Sequence, residues 1–156
     1  MTEIKEIRDF LGRKRFAMVG VSKQPKDFSR LLFREFREKG YDPVPVNPGT
    51  HEMEGQTCFA RVQDVTPPVD AVLLMTSPQV SEQVVRDCAE SGVKQIWMYR
   101  GSGSGAVSAA AVEFCRSHGM AVIPGECPLM FLPNAGWLHR FHGFVKKITG
   151  TYPKTA

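Results

Sequence analysis

The feature that most constrains this chain is a regular alternation of short apolar runs with longer segments of helical periodicity. The cleanest run, VDAVLLM from Val69 to Met75, is apolar on both faces, as a strand inside a parallel sheet has to be. Phe16-Ala17-Met18-Val19-Gly20 reads as another buried strand, ending in glycine. Gln95 to Met98 and Met120 to Ile123 read the same way, and Asp42 to Val46 is a fifth candidate. Pro43 and Pro45 each remove a ladder donor, which predicts an edge or partly irregular strand there. Between these runs, Phe28, Leu31, Leu32 and Phe36 recur at helical spacing from Phe28 to Lys39, with Gly40 at the C-cap position. Pro78 to Ser91 has proline near its first turn and Gly92 beyond its end, and Ser104 to His118 reads as a further helix.

Strands alternating with helices pair in parallel through right-handed crossovers. The expected fold is therefore α/β: a Rossmann-like, doubly wound, mainly parallel five-stranded sheet with helices on both faces. Two segments lie outside that pattern. Thr2 to Leu11 reads as a leading helix, with Ile4, Ile7, Phe10 and Leu11 on one face. After Pro133, the residues Trp137, Leu138, Phe141, Phe144, Val145 and Ile148 fall on one helical stripe, the pattern of a packed tail helix. The expected division is a domain over 1–132 and a helical tail over 133–156.

Composition removes several classes. No run approaches the ~18 apolar residues of a membrane span. The opening MTEIKEIRDFLGRKRF lacks the apolar stretch of a secretory signal. Cys58, Cys88, Cys115 and Cys127 are dispersed, with no C-x-x-C pair, which suits a reducing cytoplasm and argues against zinc. A net charge of +4 favours an anionic ligand but is too modest to predict nucleic-acid binding. His139 and His142 lie three apart with no carboxylate or cysteine beside them, so no metal site is expected.

In doubly wound sheets ligands bind beyond the carboxyl ends of the strands, and that rule selects five loops. Gly20-Val21-Ser22-Lys23-Gln24-Pro25 keeps one glycine, but Ser22 and Pro25 stand where a dinucleotide fingerprint needs two more. A hydroxyl, an ammonium and a helix N-terminus together suit phosphate. The plainer alternative is that Gly20 makes the turn and Lys23 solvates the surface. Asn47-Pro48 follows the second strand, where an NAD site would carry a carboxylate. Asn47 can bond to ribose or adenine, or simply make an Asn-Pro turn. Thr76-Ser77-Pro78 offers two hydroxyls ahead of a helix, of which Ser77 could be an N-cap. Tyr99-Arg100-Gly101 opens a glycine-rich loop in which Arg100 is the best candidate to pair a phosphate. The last loop is Gly125-Glu126-Cys127-Pro128.

The segments VGVSKQP (19–25), KGYDPVPVNP (39–48), PPVDAVLLMTSP (67–78), SGVKQIWMYRG (91–101) and GECPLM (125–130) together resemble the small coenzyme A-binding domain family. That family is related to the coenzyme A-binding part of the succinyl-CoA synthetase alpha subunit. The resemblance implies coenzyme A held by its nucleotide end across the strand ends. Gly20, Val21, Ser22 and Lys23 would then lie near the phosphates and Asn47-Pro48 near the adenosine. Thr76, Ser77, Pro78, Arg100 and Gly101 would flank the remaining groove. Cys127 matches a cysteine often found at this turn, and could be either a thiol within reach of the ligand or a buried, inert one. The tail after Leu132 is not part of the resemblance.

No Ser-His-Asp order or carboxylate pair is evident, so the expected role is a non-catalytic or regulatory binder of coenzyme A or acyl-CoA. Two alternatives remain: an NAD-type dinucleotide-binding domain, and a non-catalytic subunit of an acyl-CoA ligase. A homo-oligomer or a separate ligase chain would be the protein partner.

Overall fold

The computed structural model describes residues 3–132. Five strands form one parallel sheet: β1 (Arg15–Val19), β2 (Asp42–Val46), β5 (Ala71–Leu74), β6 (Gln95–Met98) and β7 (Ala121–Pro124). A small antiparallel hairpin, β3 (Glu52–Met53) and β4 (Gln56–Thr57), interrupts the connection after β2. The helices are α1 (Ile4–Gly12), α2 (Phe28–Glu38), α3 (Pro78–Glu90) and α4 (Ala109–Ser117). The predicted tail helix, 133–156, lies outside the described residues.

Strand order is β2-β1-β5-β6-β7, every neighbouring pair parallel. The chain runs outward from β1 to β2, then crosses back to β5 on the other side of β1. Strand order therefore reverses between β1 and β5. Side chains alternate along each strand and divide the core in two. Ala17, Val19, Val72, Leu74, Ile96, Met98 and Val122 pack against α3 and α4, through Val84, Val85, Cys88, Ala111, Val112 and Cys115. Phe16, Met18, Ala71, Leu73, Trp97 and Ile123 face α1 and α2, through Ile7, Phe10, Leu32, Phe33 and Phe36. Helices thus cover both faces, as the alternation predicts.

Aromatic rings dominate the second face. Phe10 meets Trp97 edge-on at 5.3 Å and Phe16 at 5.1 Å, which fastens the leading helix to the sheet. Trp97 is wholly buried and donates its indole N–H to the carbonyl of Gly125 at 2.8 Å. Its removal would forfeit both a large apolar area and that bond, a loss of about 3–5 kcal/mol.

β2 is an edge strand, as its prolines predict, yet it is regular, in register with β1 from Asp42 to Val46. Asp42 and Val46 bond towards β1, so Pro43 and Pro45 occupy the outward-facing positions. There the missing N–H groups cost nothing. Their carbonyls are satisfied by Gln56 Nε2 at 2.8 Å and by the Phe59 N–H at 3.1 Å.

Two expectations need correction. The helix predicted from Ser104 begins at Ala109, with Ser108 as N-cap accepting from the Ala111 N–H. Gly103 and Gly105 sit at φ +65° and +56°, left-handed turns that no helix continues through. The hairpin was not foreseen, because two-residue strands carry no periodicity. Its turn residues Glu54 and Gly55 both take positive φ, +51° and +78°, the pattern of the tight turns that close hairpins.

Candidate ligand-binding site

The reversal of strand order places the loops after β1, β2 and β5 side by side. Gly20, at φ +91°, closes β1 by donating its N–H to the Val46 carbonyl at 3.1 Å. A Cβ on Gly20 would lie 2.8 Å from the Met75 carbonyl oxygen and 3.0 Å from Thr76 Cγ2. Main chain therefore meets main chain at the switch point, and only glycine fits. Asn47 bridges the first two loops: its Nδ2 donates to the Val21 carbonyl at 2.9 Å, and its Oδ1 accepts the Gly49 N–H at 2.7 Å.

Two clefts open on either side of this contact. One, of about 250 Å³, is lined by Gly20, Asn47, Pro48 and Thr76 together with Arg61 and Val80. The other, of about 390 Å³, is lined by Gly20, Ser22, Phe28, Thr76, Tyr99 and Gly105, with Asp27 and Ser29 at its α2 end. Gly20 and Thr76 belong to both, so the two clefts form one trough over the carboxyl ends of β1 and β5. Val80 is 49% exposed, an apolar side chain held open on the wall of the first cleft. In the second, Phe28 and Tyr99 approach at 5.4 Å between ring centroids. Burial, with a smaller contribution from the neighbouring Cys127, pushes the Tyr99 phenol up to about 12. Tyr99 is thus a neutral hydrogen-bond donor at physiological pH.

The other sequence candidates fall in several places. Val21 is wholly buried, so only its main chain can face a ligand. Lys23 is exposed, its ammonium directed over Gly49, and it forms no ion pair among the described residues. Ser77 caps α3 by accepting the Val80 N–H, and Pro78 follows as its first residue. Thr76 shares a 2.7 Å hydrogen bond with Ser81. Arg100 is exposed but donates its Nε to the Gly103 carbonyl at 2.9 Å, which turns part of the guanidinium back onto its own loop. Gly101 and Gly105 are needed less for a ligand than for Tyr99: a Cβ on either would run into the Tyr99 hydroxyl or its carbonyl. Cys127 lies at the expected edge but is 3% exposed within the α1–α2 core. That burial agrees with the second of the two readings, a buried thiol. The N-terminus of α2 is also committed, since Asp27 accepts from both the N–H and the hydroxyl of Ser29, at 2.8 and 2.6 Å.

Sequence reasoning missed Ala60, Arg61 and Val62. They reach the first cleft because Phe59 pairs in parallel with Val46, so the chain returns to the sheet edge after the hairpin. It also missed Phe28 as a wall residue; its position one residue after an N-cap aspartate was the available signal.

A parallel sheet in this order, with a trough over the switch point, defines a doubly wound α/β domain of the ligand-binding type. Within that class the chain belongs to the CoA-binding domain family, whose sequence profile matches residues 14–133. It is 27% identical over 123 residues to the uncharacterized protein YneT of Bacillus subtilis, covering 78% of this chain and 88% of that one. It is 25% identical over 126 residues to the alpha subunit of acetate–CoA ligase (ADP-forming) II of Pyrococcus furiosus. That match covers 76% of this chain but 27% of the ligase subunit. A solved structure, a hypothetical protein from Pyrococcus horikoshii OT3, superposes with a TM-score of 0.73 at 25% identity, covering 82% of this chain and 92% of the other. Among the described residues, no helix is long and apolar enough to cross a membrane.

Proposed function

We propose that this protein binds coenzyme A or an acyl-CoA, with the nucleotide end laid across the trough, and acts as a non-catalytic or regulatory binder. The observation that carries this reading is the contact of Gly20 with Met75 and Thr76, where two clefts meet on a floor of main chain. Phosphates can approach the main chain at Gly20 closely because that residue carries no side chain. On this reading Gly20, Val21, Ser22 and Lys23 serve the phosphates, the last through its free ammonium. Asn47 and Pro48 border the adenosine, Asn47 mainly by holding the two loops together. Thr76, Ser77, Pro78, Arg100 and Gly101 frame the rest. The titratable residues lining the clefts are Asp27, Arg61, Asp87 and Tyr99. Among the described residues, no histidine or thiol lines either cleft. A cytoplasmic location, and a second copy or a ligase chain as protein partner, belong to the same reading.

The test is thermal unfolding with increasing coenzyme A. A ligand bound only to the folded state at a hundredfold excess over its dissociation constant adds about 2.7 kcal/mol. The midpoint should rise with coenzyme A and far less with NAD at equal concentration. Equal stabilisation by NAD would instead support a dinucleotide-binding domain, and no shift with either would remove both readings.

A further inference from the structure

An arginine cluster on the outer side of α2 is not used by the trough itself. Glu54, at the tip of the β3–β4 hairpin, accepts from Arg30 Nε at 3.0 Å, from Arg30 Nη2, and from Arg34 Nη1 at 2.9 Å, all on one carboxylate oxygen. Arg37 Nη1 donates to the Glu54 carbonyl at 2.8 Å. The hydrogen bond from Arg30 is the main cause holding the Glu54 carboxyl below its ordinary value, against an opposing effect of burial. The same arginines reach the loop after β1. Arg30 Nη1 donates to the carbonyls of Ser22 and Lys23, at 3.3 and 3.1 Å, and Arg34 Nη2 donates to that of Pro25 at 2.9 Å.

In a trans peptide, C=O and N–H point in opposite directions. Drawing three carbonyls of this loop towards α2 therefore turns the following N–H groups the other way. Of these, the Gln24 N–H is taken by Ser22 Oγ at 3.1 Å. Those of Lys23 and Lys26 donate to no described residue. With Asp27 occupying the N-terminus of α2, these two amides and the Lys23 ammonium are donors of this loop without a partner among the described residues.

We propose that Glu54 is a positioning residue for anion binding: through Arg30 and Arg34 it holds the 22–26 loop with its free amides turned towards a phosphate group. This rests on the ligand reading above, but its claim is on the anion rather than on the whole cofactor. Fixed donors lose less freedom on binding than a loose loop would. A neutral hairpin tip would leave two arginines competing for the loop carbonyls without an anchor.

The test uses the full chain, its Glu54→Ala variant, and Arg34→Ala as a second variant should the first fold poorly. Coenzyme A and inorganic pyrophosphate are titrated at a temperature where each protein is folded, while the amide resonances of Lys23 and Lys26 are followed by NMR. In the parent both resonances should move with either anion. In the variants the affinity should fall by roughly tenfold, the loss of one well-placed charged hydrogen bond, and the two shifts should shrink. A purely structural role would lower the unfolding midpoint but leave affinity and shifts unchanged in the folded protein, and that result overturns the proposal. A parent that responds to pyrophosphate but not to coenzyme A refutes the cofactor reading while supporting the clamp, provided the variants lose the response. Silence of both amides towards both anions overturns the clamp.

Discussion

The side-chain amide of Asn47 donates to the main-chain carbonyl of Val21, joining the loops after β1 and β2 across 2.9 Å. Asn47→Asp replaces that donor with a carboxylate facing a carbonyl oxygen. We expect a loss of about 1–3 kcal/mol in urea unfolding, with weaker coenzyme A binding as the loops separate. The added carboxylate should not convert the trough to NAD binding. A variant as stable as the parent would show the bridge to be idle.

Gly20→Ala places a methyl group against the Met75 carbonyl in a left-handed backbone conformation. Left-handed strain and overpacking together predict destabilisation of about 2–4 kcal/mol. The midpoint of chemical denaturation reports it directly. A change within the noise would mean that β1 and β5 can move apart at little cost.

Lys23→Ala and Arg100→Ala should behave differently. Lys23 has no ion-pair partner among the described residues and is exposed, so its loss should weaken coenzyme A binding by about one to two powers of ten with stability unchanged. Arg100 also holds the Gly103 carbonyl. Its removal should therefore loosen the 101–105 turn as well, seen as faster amide exchange there. Titrations in which both variants bind like the parent would take these two loops out of the site.

Alkaline pH should destabilise the fold. Burial raises the Cys115 thiol from its ordinary 9.0 to about 11, and raises Cys58 and Cys88 as well. The unfolded chain releases these protons from about pH 9, while the folded protein retains them. The Cys115 thiol therefore contributes stability that is complete below pH 9 and lost as pH rises towards 11. Urea midpoints measured from pH 8 to 10.5 should fall. A Cys115→Ala variant should show a shallower fall. Because Cys127 is also buried, coenzyme A disulfide should form an adduct there only as fast as the core opens. Immediate modification at Cys127 alone would contradict this.

The sheet was legible because its strands are apolar on both faces, a demand that only a covered parallel sheet makes. The trough was legible only in outline. Strand order tells which loops converge, and Gly20, Ser22, Asn47, Pro48 and Thr76 do line it. Arg61 depends instead on the path by which the chain returns after the hairpin, which no local pattern records. The glycines after Tyr99 show a different limit. At Gly101 and Gly105 an added side chain would be crowded first by Tyr99 itself, a contact that no local pattern marks. The clamp at Glu54 joins residues twenty or more positions apart and depends on a turn with no strand signal beside it.

The two prolines of β2 have a consequence for solubility. The sheet margin they occupy lacks the alternating donors that a second chain would need to lengthen the ladder, and its outward carbonyls are already spent. Fibrous, edge-to-edge growth is barred on that side. Copies of this chain meeting there can recognise one another only through side-chain surfaces, whose fit is specific and whose strength is set by composition rather than by backbone.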